Sequence, residues 1–300
     1  MHLSLVSLAL ALATSVAGLS PRSISNELYD NFVQYTKYSS ATYQPVCSKP
    51  LGNQLIRSFE FNNTRSFIVR DDVRKEIVVA FRGTWSLADV ITDLEILLTP
   101  LVSPGLVQAV DVDVHWGFLD AYNDVAKDIL SIITSQLSTR QYRLVVTGHS
   151  LGGSVASIAA VSLKTAFPHT DLKLFTFGHS WYGLSWRLRS DCVLGQPRVG
   201  NSEFATYVED LLGTENIFRA VHTFDGVPTI IPQALGYQHF ATEYWQYLDP
   251  IPPTQPSDSV TRCVGREDPA CSNSLISTGI NVAHPVYFGQ VMAIDPTLCI

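Results

Sequence analysis

The chain has 300 residues, a net charge of −7 from 20 Lys and Arg against 27 Asp and Glu, and a hydrophobic content of 46%. That content is too high for a disordered chain. The cations are scattered without a run, which excludes an electrostatic footprint for nucleic acid and a polybasic membrane patch, so a neutral or apolar substrate suits the surface.

Residues 3–13 form an apolar run too short to span a bilayer, followed by small residues around Ser15 and Ala17. This pattern reads as a secretory signal peptide over residues 1–17, ahead of a single domain over 18–300, and predicts an extracellular protein. Five cysteines, Cys47, Cys192, Cys263, Cys271 and Cys299, behind an export signal imply disulfides. Neither CxxC nor HExxH occurs, and neither a metal nor a cofactor is expected. The count is odd, so one thiol is left over or pairs between chains. Asn62-Asn63-Thr64 is a glycosylation sequon with Asn62 as acceptor, in a polar stretch between Phe61 and Phe67 that reads as a hairpin turn.

Further along, Ile77-Val78-Val79-Ala80-Phe81 is an apolar, β-branched run of the kind found in strands buried on both faces. A helix is predicted over 120–136, with Val125, Ile129, Ile132 and Ile133 on one side. A second buried strand follows at 144–147, then a small-residue helix over 154–167 stopped by Pro168. Residues 172–177 and 217–223 add two more strands. Strands alternating with helices predict an α/β fold with a mostly parallel sheet. From Asp249 onward a loop stiffened by prolines begins.

Gly148-His149-Ser150-Leu151-Gly152 matches Gly-x-Ser-x-Gly between a predicted strand and a predicted helix. The turn forces Ser150 outward, and the residues two before and two after it must be tiny because their backbones nearly collide. A serine hydroxyl needs a histidine to take its proton, and that histidine needs a carboxylate to hold its tautomer. Asp225 is the best acid, because it follows the 217–223 strand at the same sheet edge as the nucleophile. Asp249, Asp258 and Asp268 are runners-up in a loop without a rigid edge. His284 is chosen as base over His239, which stands among aromatic residues, and over His222, which sits inside a strand.

Six ordered blocks carry a resemblance. They are Phe81-Arg82-Gly83-Thr84, Val114-His115-Trp116-Gly117-Phe118, Thr147-Gly148-His149-Ser150-Leu151-Gly152-Gly153, Gln196-Pro197-Arg198-Val199-Gly200-Asn201, Val221-His222-Thr223-Phe224-Asp225-Gly226-Val227-Pro228, and the segment around His284. The sequence resembles the secreted fungal lipases of the class 3 type and their feruloyl esterase relatives. The resemblance implies an α/β-hydrolase fold, helices on both faces of the sheet, and Ser150, Asp225 and His284 as catalytic triad. It places Thr84 and Leu151 in the oxyanion hole. It also implies a short helical lid over 85–98, where Leu87, Val90, Ile91, Leu94 and Leu98 fall at helical spacing opposite polar residues, an amphipathic pattern suited to a lipid–water interface. Cys47 resembles the cysteine tied to the carboxyl terminus, here Cys299, and Cys263 and Cys271 resemble a local bridge, which leaves Cys192 as the orphan. His115 and Trp116 are expected to be structural.

One departure stands out: residues 179–195 separate Gly178 from Gln196, two positions that are contiguous in relatives. This insertion holds Cys192 and several exposed-type aromatic residues, and is expected to be a retained intron or a gene-model error. The expected function is hydrolysis of acylglycerol esters by a monomeric enzyme. The alternative is a feruloyl esterase or another esterase acting on soluble carboxylic esters.

Overall fold

The computed structural model describes residues 22–61, 64–83, 97–107, 109–178, 196–275, 283 and 285–300. Residues 1–17, Asn62, Thr84, lid positions 85–96, the segment 179–195 with Cys192, and His284 lie outside the described residues.

The chain enters through helix α1 (Asn26–Ala41), whose first turn is capped by Ser25 accepting the Leu28 N–H at 3.1 Å. Three strands follow: β1 (Gln54–Phe61), β2 (Thr64–Asp71) and β3 (Glu76–Phe81). Phe61 pairs with Thr64 at the end of the antiparallel β1–β2 ladder. A two-stranded ribbon, β4 (Leu98–Pro100) with β5 (Asp113–His115), precedes helix α2 (Trp116–Leu137). Then come β6 (Arg143–His149), α3 (Leu151–Ala166), β7 (Leu172–Phe177), α4 (Ser202–Leu212), β8 (Ile217–His222), β9 (Glu243–Gln246) and β10 (Val260–Arg262). A short hairpin, β11 (Val286–Tyr287) with β12 (Gln290–Val291), lies near the carboxyl terminus.

Among the described residues, eight strands form one sheet in the order β1-β2-β3-β6-β7-β8-β9-β10. Pairing is parallel from β3 through β9 and antiparallel at both margins. The continuous apolar runs follow from burial on both sides. Ile77, Val79, Phe81, Leu144 and Val146 pack with α2, α3 and α4 on one face. Val78, Ala80 and Val145 point the other way, toward Phe32, Tyr35, Tyr38 and Ala41 of α1. On that second face Phe32 stacks on Phe288 at 4.7 Å and meets Phe175 edge-on at 5.6 Å. Such aromatic pairs add about 0.5–1.5 kcal/mol each beyond the area they bury.

Cys47 is bonded to Cys299 and Cys263 to Cys271. No helix among the described residues is long and apolar enough to cross a membrane.

Two expectations are corrected. The helix after Ser150 begins at Leu151 rather than at residue 154, since the sharp turn at the serine leads straight into helical backbone. Leu98 does not belong to a lid helix: its backbone pairs with His115 as the first residue of β4.

Candidate active site

Ser150 sits between β6 and α3 with φ 63° and ψ −134°, a left-handed conformation that a side chain adopts only under constraint. Neighbouring backbone supplies the constraint. The Ser150 amide donates to the Phe177 carbonyl of β7 at 2.8 Å, and the Ser150 carbonyl accepts the Gly153 N–H at 2.8 Å. A Cβ on Gly148 would stand 2.0 Å from the Gly152 carbonyl oxygen, and one on Gly152 would stand 2.4 Å from the Phe81 carbonyl oxygen. Only glycine fits at either place, which explains the spacing of the motif. Ser150 is buried, and its Oγ has no hydrogen-bond partner among the described residues. Leu151 opens α3, so its amide is one of the first-turn donors that no carbonyl of the helix itself can accept.

The strand that carries the Arg82-Gly83 pair is bound to this elbow by Tyr43. The Gly83 N–H donates to the Tyr43 hydroxyl at 3.0 Å, and that oxygen lies 2.6 Å from His149 Nδ1. Burial pushes the Tyr43 phenol far up, so the hydroxyl stays protonated. Tyr43 thereby joins the residue before Thr84 to the residue before Ser150. Nothing in sequence spacing marks it.

Asp225 stands three residues beyond the end of β8, two strands from Ser150 at the same carboxyl edge of the sheet. Thr223, at φ 40°, turns the chain there, and the Asp225 amide donates to the His222 carbonyl at 2.9 Å. The carboxylate is buried and both oxygens are occupied. Oδ1 accepts the Val227 N–H at 3.1 Å and Oδ2 accepts the Tyr287 hydroxyl at 2.6 Å. Burial and then the Asp225 charge hold the Tyr287 phenol well above its ordinary range, so it keeps the proton that it donates to Asp225. A hydrogen bond to a charged group is worth about 1.5–3 kcal/mol. Tyr287→Phe is therefore expected to lower kcat by about 10- to 100-fold with KM little changed, read on a soluble nitrophenyl ester. Unchanged kcat would remove Tyr287 from the site.

The segment around position 284 is tied down on both flanks. The Ala283 carbonyl is hydrogen-bonded to His222 Nδ1 at the end of β8, and Tyr287 reaches Asp225 as described. The Phe288 amide adds a bond to Gln246 Oε1 at 3.0 Å.

The rejected candidates all have structural partners. His239 donates through Nε2 to the Pro228 carbonyl at 2.8 Å, and burial holds its ring well below the ordinary histidine range. His115 accepts the Gly117 N–H through Nδ1 at 3.1 Å as the cap of α2, with burial lowering it to about 4. Asp268 accepts Arg22 Nη1 at 2.9 Å and the Val264 amide at 2.8 Å. Asp258 offers its main-chain carbonyl to Tyr247 Oη at 2.7 Å. Asp249 faces His222 Nε2 at 3.0 Å.

A mostly parallel sheet with helices on both faces and a strained serine between β6 and α3 defines an α/β-hydrolase fold carrying a nucleophile elbow. The family described as Lipase (class 3) matches residues 78–235, and the chain belongs to that family. A secreted mono- and diacylglycerol lipase 1 of Fusarium solani is 32% identical over 235 residues, 77% of this chain and 62% of that protein. The lipase of Rhizomucor miehei is 32% identical over 233 residues, 76% of this chain and 56% of that protein. The chain thus spans less than two thirds of the length of these curated relatives. Among solved structures, a lipase from Rhizopus microsporus var. chinensis superposes with a TM-score of 0.73 at 30% identity, covering 90% of each chain.

Proposed function

We propose that the protein hydrolyses acylglycerol esters through an acyl-enzyme, with Ser150 as nucleophile, His284 as base and Asp225 as the acid that orients it. The observation that carries this reading is the convergence of anchors. Ser150 is presented on a strained turn at the carboxyl edge of the sheet, Asp225 is buried at that edge, and the residues on both sides of 284 are bonded to the end of β8 and to Asp225. In this mechanism His284 takes the Ser150 proton as Oγ attacks the ester carbonyl, then returns it to the leaving alcohol; water repeats the cycle on the acyl-enzyme. The Leu151 amide and Thr84 would stabilise the oxyanion, each such donor contributing about 10²- to 10³-fold in kcat. Residues 85–96 would form the lid, and residues 1–17 an export signal that brings the enzyme to substrate outside the cell.

The family match and the lipase relatives favour acylglycerols over soluble esters. Turnover of a long-chain ester is expected to rise sharply as its concentration passes the solubility limit. Hydrolysis that follows ordinary saturation through that limit, with a preference for methyl ferulate, would instead assign a soluble-ester esterase.

We further propose that residues 179–195 are dispensable. The two described ends of the gap rest on the same helix start: Phe177 accepts the Ser150 amide, while Gln196 packs on Gly153 and its Nε2 donates to Ser157 Oγ at 3.3 Å. A variant lacking 179–195 is expected to fold and to hydrolyse esters at least as fast as the full chain, and sequencing of the transcript is expected to lack these codons. A secreted product containing them, with the deletion variant inactive, would make the segment an integral loop.

A further inference from the structure

Beside the proposed triad lies a second histidine–carboxylate pair that the mechanism above does not use. His222, the last residue of β8, is buried, with Nδ1 on the Ala283 carbonyl and Nε2 3.0 Å from Asp249 Oδ1. A carbonyl oxygen can only accept, so Nδ1 is the donor in that bond, and the Asp249 carboxylate, also an acceptor, is held by Nε2 when that nitrogen too carries a proton. The ring is fixed on its remaining side by Tyr287, whose centroid lies 5.6 Å away and whose hydroxyl holds Asp225. Asp249 approaches from the solvent side, its side chain 61% exposed.

We infer that His222 is a positioning residue for the base: its Nδ1–H fixes the peptide immediately before residue 284, and Asp249 fixes the ring that makes the bond. This rests on the reading of His284 as base. The physical argument is one of lever arm. Ala283 is the residue directly preceding the base, so a shift of its carbonyl displaces the following side chain. The contacts on the far side, through Tyr287 and Phe288, constrain the segment three and four residues later. A misplacement of about 1 Å between catalytic groups costs on the order of 10²-fold in rate.

The test compares His222→Phe, which keeps ring volume and loses both nitrogens, with His222→Asn, whose amide N–H₂ stands where Nδ1 stands and restores the donor to Ala283. Each variant is assayed on a soluble nitrophenyl ester and by the rate at which a nitrophenyl alkylphosphonate inactivates Ser150. His222→Phe is expected to lose kcat and phosphonylation rate together by up to ~10²-fold with KM unchanged, while His222→Asn regains most of both. Wild-type kcat in His222→Phe overturns the proposal. So does an Asn variant as slow as the Phe variant, since packing rather than the hydrogen bond would then be the cause. Should His222→Phe fail to fold, Asp249→Leu on the exposed side carries the test: kcat falls with KM unchanged, or the proposal is overturned. His284→Ala in the same assays separates the two readings. Activity surviving that change removes the base itself, a result independent of position 222.

Discussion

Replacing Ser150 by alanine is expected to lower kcat on a soluble nitrophenyl ester by on the order of 10⁶-fold, the loss that accompanies removal of the nucleophile in a serine hydrolase triad. The variant should fold as the parent does. Alanine occupies φ 63° with the same strain as serine, and the hydroxyl has no partner among the described residues whose loss would leave a buried group unpaired. Melting temperature should therefore be unchanged while turnover disappears, and this separation of effects makes the experiment informative. A variant that still turned over the ester at the parental rate would move the nucleophile elsewhere.

Removing Arg198 is expected to cost about 3–5 kcal/mol of stability, because one half of a buried ion pair would be left without its counter-charge. Arg198 binds Glu267 through two parallel contacts of 2.7 and 2.8 Å and donates Nη1 to the Ile231 carbonyl at 2.7 Å. Glu267 in turn accepts the His239 amide at 3.0 Å, and His239 holds the Pro228 carbonyl. The chain just beyond Asp225 is thus pinned at residues 228 and 231 by one network. Burial disfavours the Glu267 charge, but the hydrogen bonds and charge of Arg198 outweigh it and bring the carboxyl from 4.5 to about 2. A carboxylate lowered by folding contributes stability that is complete above its unfolded value and disappears as pH falls toward the folded one. The parent's melting temperature should accordingly decline as pH drops from 4.5 toward about 2, and Glu267→Gln should be less stable at neutral pH with a flatter acid limb. Arg198→Ala with parental stability, measured by urea unfolding, would show that the network adds nothing.

The strained turn at Ser150 was legible in the sequence because its geometry leaves a local mark: two glycines where a Cβ would strike backbone, between a β-branched run and a run of small residues. The central strands were legible for a similar reason, since burial on both faces turns β3, β6 and β7 into unbroken apolar stretches. Helix α1 left no such mark. Its buried side includes Tyr35, Thr36, Tyr38, Ser39 and Ser40, so no aliphatic stripe betrays it. The last two strands of the sheet, β9 and the edge strand β10, are short, and their side chains mix Glu243, Gln246 and Arg262 with aromatic residues. Tyr43 and Tyr287 were missed as site residues because their partners lie 106 and 62 positions away, a separation that no periodicity encodes. The Gln196–Asn201 block, read only as a family mark, has concrete duties: Arg198 supports the acid loop, and Asn201 caps α4 by accepting the Phe204 N–H at 2.8 Å.

The convergence of positions 150, 225 and 284 is tested most directly by a crystal structure of the protein inactivated with a nitrophenyl alkylphosphonate, which forms a stable ester with the reactive hydroxyl. The account predicts phosphorus bonded to Ser150 Oγ, one nitrogen of His284 within about 3.2 Å of that oxygen, and the other within the same reach of Asp225. Phosphorus on any other side chain, or a His284 ring turned away from both partners, would contradict it.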